Sequence, residues 1–207
     1  MKWSEKQLHI LSVAESLFAS KGFEGTSVRD IAQAAEVNVA MISYYFGSKE
    51  KLLYSLIEER TERSGLMLQD LYQNKQLSPW EKMEHIIDFY VDMMLNNRDY
   101  YIIASRQISL VKDESLIRLL VKFKRRNGGM IIDIIEEGVR KGVFKEVDKE
   151  LVISTIMGSI SQVSMSRLFY SNLLAIPADD EETYYRILKE RLKKHLKQLL
   201  KAYLIHS

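Results

Sequence analysis

The chain has 207 residues, enough for one large or two small domains, and is 46% hydrophobic and 28% charged. It contains no cysteine, which excludes disulfides and thiolate chemistry, and its nine glycines and two prolines leave few helix breakers. The net charge of +2 points to no particular partner; no apolar run approaches the ~20 residues that span a membrane, and residues 1–5 lack the apolar core of a secretory signal, so the expected setting is cytoplasmic.

Residues 4–21 read as a first helix, with Leu8, Leu11, Ala14, Leu17 and Phe18 on its buried face and Gly22 closing it. Lys2 and Lys6 sit where they could touch phosphate or simply face solvent. Phe23 is expected to pack beneath the next two helices. Thr26 or Ser27 offers a capping hydroxyl, and Asp30 lies three residues after Ser27, as in a capping box. Val28, Ile31, Ala32 and Ala35 then repeat at helical spacing. The chain turns near Glu36 and Val37, and Asn38 can cap a second helix over Val39–Tyr45. On that helix Ile42 and Phe46 point inward, while Val39, Ala40, Ser43 and Tyr44 face out. A short capped helix with small and aromatic residues on its outer face fits a DNA recognition helix. Gly47 ends it, Ser48 caps the next helix, and Lys49 in the first turn makes a ready phosphate site.

A long helix runs from Ser48 to about Tyr72, then a loop over residues 74–78 and a strong helix start at Ser78–Pro79–Trp80–Glu81. Helices are predicted over 81–95, from a cap at Asp99 to about Val111, over Glu114–Lys141, from a cap at Asp148 to about Leu173, and over 182–204. Gly128–Gly129 lies inside the Glu114–Lys141 span, where it suits close packing or a bend. No β signal and no repeat appears, so the fold class is all-α. The four histidines are scattered and no metal-ligand spacing occurs; no nucleophile motif or phosphate-binding glycine loop is present. An enzyme is not supported, and no cofactor is implied.

Several of these segments, taken together and in order, resemble the DNA-binding domain of the TetR (tetracycline-repressor-like) family of bacterial transcriptional regulators. They are Phe18–Ala19, Lys21–Gly22–Phe23, Thr26 through Ala32, Ile42–Ser43–Tyr44–Tyr45–Phe46, and Ser48 through Leu53. The resemblance implies an N-terminal three-helix helix-turn-helix domain (residues 1–47) and a C-terminal helical domain that binds an effector and dimerises (residues 48–207). It implies that Val39, Ala40, Met41 and Ser43 lie against base edges. Arg29, Tyr44, Tyr45 and Lys49 would contact phosphates or bases nearby, with the cap residues Thr26, Ser27 and Asn38 beside the same surface. Two positions depart from the family pattern: Glu36 replaces a frequent glycine at the turn, and Ser43 replaces a frequent tyrosine.

The family also implies a four-helix bundle shared by two chains. The apolar stripes of the last two long helices, including Ile156, Ile160, Val163, Leu192, Leu196 and Leu199, serve either that interface or an internal core. An effector pocket among the middle helices would draw on Met67, Phe89, Tyr90, Met93, Tyr101, Arg106, Met130, Gln162 and Met165, residues that suit an ordinary core equally well. Gln107, also polar within an apolar stretch, is a further pocket candidate. The basic run Lys122–Arg126 is either an anion site or a solvated helix face. The expected partners are an operator duplex, a second copy of the chain and a small-molecule effector; no membrane is involved. The implied function is a ligand-responsive repressor. The alternative is a helical interaction module of the same fold without DNA binding, since residues 1–50 hold five Lys and Arg against six Asp and Glu. That balance predicts modest non-specific DNA affinity and a shallow salt slope.

Overall fold

A computed structural model describes residues 3–97, 100, 103, 114–177 and 179–206. Nine helices run through the described residues: α1 (Glu5–Lys21), α2 (Val28–Ala34), α3 (Val39–Phe46), α4 (Lys49–Gln73), α5 (Pro79–Asn96), α6 (Glu114–Arg140), α7 (Lys149–Met165), α8 (Arg167–Leu173) and α9 (Glu181–Leu204). The all-α architecture expected from the sequence is the one the chain adopts; among the described residues the sole β feature is an isolated antiparallel bridge between Phe144 and Ile205. Most of the expected helix from Asp99 to Val111 lies outside the described residues, as do Lys2, Tyr101, Arg106 and Gln107.

The chain divides into two compact units. The first holds residues 1–64 and 99–123. Ser4 caps α1 in a reciprocal box with Gln7. Ile10, Leu11, Ala14 and Phe18 of α1 join Ile31 and Ala32 of α2, Ile42 and Phe46 of α3, and Leu52, Leu56 and Ile57 of α4 in one core. Tyr100, Ile103, Leu116, Leu119 and Phe123 belong to the same core. Burying each of these larger side chains contributes about 1.5–3 kcal/mol, enough to hold a seven-residue α2 and an eight-residue α3 that would not persist alone. Glu15 is buried and accepts from Arg60 at 2.7 Å, so its charge is paired across α1 and α4.

The second unit holds residues 65–98 and 124–207. Here α9 packs along α5, and α7 packs on both. Leu188, Leu192, Leu196, Leu200 and Leu204, four residues apart, form the buried face of α9. A row of polar contacts flanks that seam: Lys189 donates to Asn96 at 2.8 Å, Lys193 to Asp92 at 2.7 Å and Lys197 to Asp88 at 2.7 Å. Lys82 is buried, and its ammonium is satisfied by Glu137 at 3.0 Å and by the Tyr72 carbonyl at 3.3 Å. Phe144 is seated against Gly138, where the missing side chain makes room for its ring.

Several expectations for this unit are corrected. The helix expected to run from Asp148 to Leu173 is interrupted at Ser166, which leaves helical geometry at φ −105°, ψ 36°. Its hydroxyl accepts from the Gln162 side chain at 3.2 Å, the kind of local bond by which serine competes with a helix. Ile156, Ile160, Leu192 and Leu196 are not an outer face: all four are buried within the protomer, because α7 and α9 turn those sides toward α5 and toward each other. Val163 is half-buried and Leu199 is exposed. On α7, α8 and α9 the large apolar residues left outside are Leu151, Met165, Leu168, Phe169, Leu173, Leu199 and Tyr203. Of the pocket candidates, Tyr90 is buried, Phe89, Met93 and Met130 are half-buried, and Met67, Gln162 and Met165 are exposed, so those last three do not line an interior of the protomer. Burial pushes the Tyr90 hydroxyl up to about 12, against a bond to Asn127 that lowers it. Helix α6 runs unbroken through Gly128–Gly129, and a side chain at Gly129 would meet nothing within 4 Å, so close packing does not require that glycine.

Candidate nucleic-acid interface

The interface is built from α2, a four-residue turn and α3. Ser27 and Asp30 close the expected capping box: the Asp30 carboxylate accepts from the Ser27 backbone N–H at 2.8 Å and from its hydroxyl at 2.6 Å, while the Asp30 N–H donates to the Ser27 hydroxyl oxygen at 3.1 Å. Those bonds, the side-chain one foremost, hold the Asp30 carboxyl below its ordinary value. At the turn the Val37 N–H donates back to the Ala32 carbonyl at 2.9 Å. Glu36, where the family often has glycine, adopts left-handed geometry at φ 52°, which costs a residue with a side chain about 1 kcal/mol or more. His9 of α1 reaches the Ala35 carbonyl at 3.3 Å and ties the turn to the first helix.

Asn38 caps α3 by accepting the Ala40 N–H at 2.8 Å. Ile42 and Phe46 are buried, and the opposite side stands clear: Val39 is 39% and Tyr44 84% exposed, with Ala40 and Ser43 exposed between them. Met41 and Tyr45 are half-buried, and the Tyr45 ring stands edge-on to both Tyr44 at 5.3 Å and Phe46 at 6.3 Å. Tyr44 is thereby braced by its neighbour while its ring projects outward. Gly47, at φ 82°, ends the helix with its N–H on the Ser43 carbonyl at 2.9 Å. Ser48 then caps α4, accepting the Lys51 N–H at 3.2 Å, and its hydroxyl bond holds the Glu50 carboxyl below the ordinary range.

Two expected contacts sit differently. Thr26 is 1% exposed, and its hydroxyl donates to the Gly22 carbonyl at 2.8 Å; it braces the α1–α2 connection instead of facing outward. The Lys49 ammonium donates to the Phe23 carbonyl at 2.8 Å and lies 4.2 Å from the centre of the Phe23 ring, so its charge is turned toward the α1–α2 connection. A lysine stem is long enough to reach either way, and helical spacing alone does not choose. Arg29, Ser27 and Asn38 are exposed as expected. Sequence reasoning did not single out Lys51, which is exposed in the first turn of α4; its place in the Ser48–Lys51 motif was the available signal.

An exposed, uncharged helix face with exposed cations on the adjoining elements is the geometry of a helix-turn-helix that enters a major groove. Family comparison agrees. Residues 10–56 match the model of bacterial regulatory proteins of the tetR family, and residues 76–165 match that of the tetracyclin repressor-like C-terminal domain. The chain is 28% identical over 206 residues to the "Probable HTH-type transcriptional regulator YttP" of Bacillus subtilis, covering 98% of this chain and 97% of that protein. It is 25% identical over 159 residues to the fatty acid metabolism regulator protein of the same organism, covering 76% of this chain and 80% of that one. In fold it is similar to the ketosteroid transcriptional regulator KstR2 of Mycobacterium tuberculosis, with a TM-score of 0.75 at 15% identity over 100% of this chain and 98% of that one. It is likewise similar to FadR of Bacillus subtilis, solved in complex with stearoyl-CoA, with a TM-score of 0.69 at 20% identity over 91% and 96% of the two chains. The two family models lie side by side along most of the sequence, and the chain belongs to the TetR family of bacterial regulatory proteins as a DNA-binding transcriptional regulator.

Proposed function

We propose that the protein is a cytoplasmic repressor that binds a palindromic operator as a homodimer and is released by a small-molecule effector. The observation that carries this reading is the exposure of α3, with Tyr44 84% exposed on a helix whose other face is locked into the core. Residues 1–47 are the DNA-binding part and residues 48–207 the effector-binding and dimerising part. Val39, Ala40, Met41 and Ser43 approach base edges; Ser27, Arg29, Asn38, Tyr44 and Tyr45 take neighbouring positions, and exposed Lys51 joins Arg29 as a phosphate contact. Lys49 reaches phosphate only by leaving the Phe23 carbonyl.

Dimerisation uses the outer apolar residues of α7–α9. Met165 at the end of α7 and Leu168, Phe169 and Leu173 on α8 are exposed, as are Leu199 and Tyr203 on α9. Pairing two helix-turn-helix copies reads two half-sites, and half-site spacing is fixed by the pitch of DNA. The effector is an apolar molecule held near Phe89, Tyr90, Met93 and Met130; the fatty acid and ketosteroid relatives support that chemical class. Binding biases the dimer between two states through α4, with a coupling of about 1–3 kcal/mol, the usual size for such regulators.

Selection of bound sequences from random duplex DNA tests the function. Recovery of a palindrome with half-sites about one helical turn apart is the expected result. A second reading, a helical interaction module without DNA binding, draws on the acidic balance of residues 1–50 and on the inward turn of Lys49. Failure to enrich any sequence at low salt favours it.

A further inference from the structure

We infer that the operator is read mainly through thymine methyl groups, with Val39 and Ala40 of α3 meeting the 5-methyls of T·A pairs in each half-site. The inference rests on the proposed entry of α3 into the major groove and adds what the helix finds there. The eight residues of α3 include no charged and no amide side chain. Guanine is read by a forked Arg or Lys, adenine by a paired Asn or Gln, and cytosine by Asp or Glu. None of these reaches the groove from α3. Asn38, immediately before it, spends its amide oxygen on the Ala40 N–H at 2.8 Å, the oxygen that paired recognition of adenine would need. The Lys49 ammonium is engaged by the Phe23 carbonyl at 2.8 Å. Arg29 is exposed but belongs to α2, the helix that crosses the backbone in this motif.

What α3 does present is the branched methyls of Val39, the methyl of Ala40 and the ring of Tyr44, with the Ser43 hydroxyl among them. Thymine is the base that shows a methyl group in the major groove, so an apolar face gains contact there that it gains from no other base. A serine hydroxyl donates or accepts, and therefore tolerates several bases and discriminates weakly. The shortage of cations in residues 1–50 leaves apolar contact a larger share of the binding than in a basic module.

The test uses the full chain and the duplex recovered from random-sequence selection. Thymine is replaced by deoxyuracil at each half-site position in turn, which removes one methyl and leaves base pairing intact. Loss of about 4-fold in affinity per methyl at one or two positions of each half-site, and about 15-fold for a symmetric pair, is expected from the burial of one carbon. Val39→Ala, at a partly exposed position that leaves the core untouched, removes two of the contacting methyls and is expected to lower the thymine-to-uracil ratio at one of those positions; an unchanged ratio at every position counts against Val39 as a reader. A recovered palindrome that binds equally well with uracil throughout, or one whose half-sites lack T·A pairs, overturns the inference while leaving the regulator intact. Recovery of no preferred sequence overturns both.

Discussion

The helix-turn-helix and the α7–α9 segment both carry apolar residues on two sides of a helix, and they differ in how tightly the local chain fixes the inner side. Helix α3 is eight residues long and held between the Asn38 cap and Gly47: Ile42 and Phe46 go inside, and Val39, Ala40 and Tyr44 stand outside. Helices α7 and α9 are 17 and 24 residues long. Ile156, Ile160, Leu192 and Leu196 fill the protomer's core, while Leu151, Met165, Leu199 and Tyr203 stay outside. A short helix between two fixed turns has little choice of inner side. A long helix with apolar residues on both sides has two, and packing within the protomer decides which of them is buried.

The largest expected effect separates those two faces directly. Leu196→Ala, at a fully buried position, lowers unfolding free energy by about 2–5 kcal/mol in urea titration. Leu173→Asp, at a position 62% exposed, leaves the protomer's fold intact but shifts the sedimentation profile toward monomer. Equal destabilisation by both would erase the distinction. A smaller effect is expected where a ring replaces a side chain. Gly138→Ala pushes Phe144 out of its seat and costs about 1–3 kcal/mol by thermal unfolding, with little change in DNA affinity.

The helix-turn-helix offers the opposite sign. Glu36→Gly relieves a left-handed backbone and raises stability by up to about 1 kcal/mol, and a melting temperature that falls instead would show that the Glu36 side chain has a compensating role. Smallest of all is the pH response of the caps. Asp30 and Glu50 are held below their ordinary values by Ser27 and Ser48. Such groups stabilise fully above the ordinary carboxylate range, and the contribution is lost as pH falls through their lowered folded values. Amide protection at the starts of α2 and α4 therefore stays level down to about pH 5 and declines below about pH 4. Hydrogen exchange measured against pH checks this, and Asp30→Asn flattens the response in α2.

Where one residue type does one job, the architecture was legible. Ser27 with Asp30, Asn38, Ser78 with Pro79 and Glu81, and Asp148 all cap the helices they mark. The inward pair Ile42 and Phe46 comes from spacing, and the strain at Glu36 from a missing glycine. What escaped was whatever depends on a choice between partners. Lys49 chooses between phosphate and the Phe23 carbonyl, Thr26 between solvent and Gly22, and Ser166 between its helix and the Gln162 side chain. Each alternative satisfies the same donor or acceptor, so local pattern cannot rank them; the packed surroundings do.

Operator affinity of the Tyr44→Ala chain tests the projecting face of α3 most directly. With the selected duplex as probe and circular dichroism melting as the control, the expected result is roughly 5- to 100-fold weaker binding at an unchanged melting temperature. Wild-type affinity in a normally folded Tyr44→Ala protein would contradict the placement of α3 against DNA.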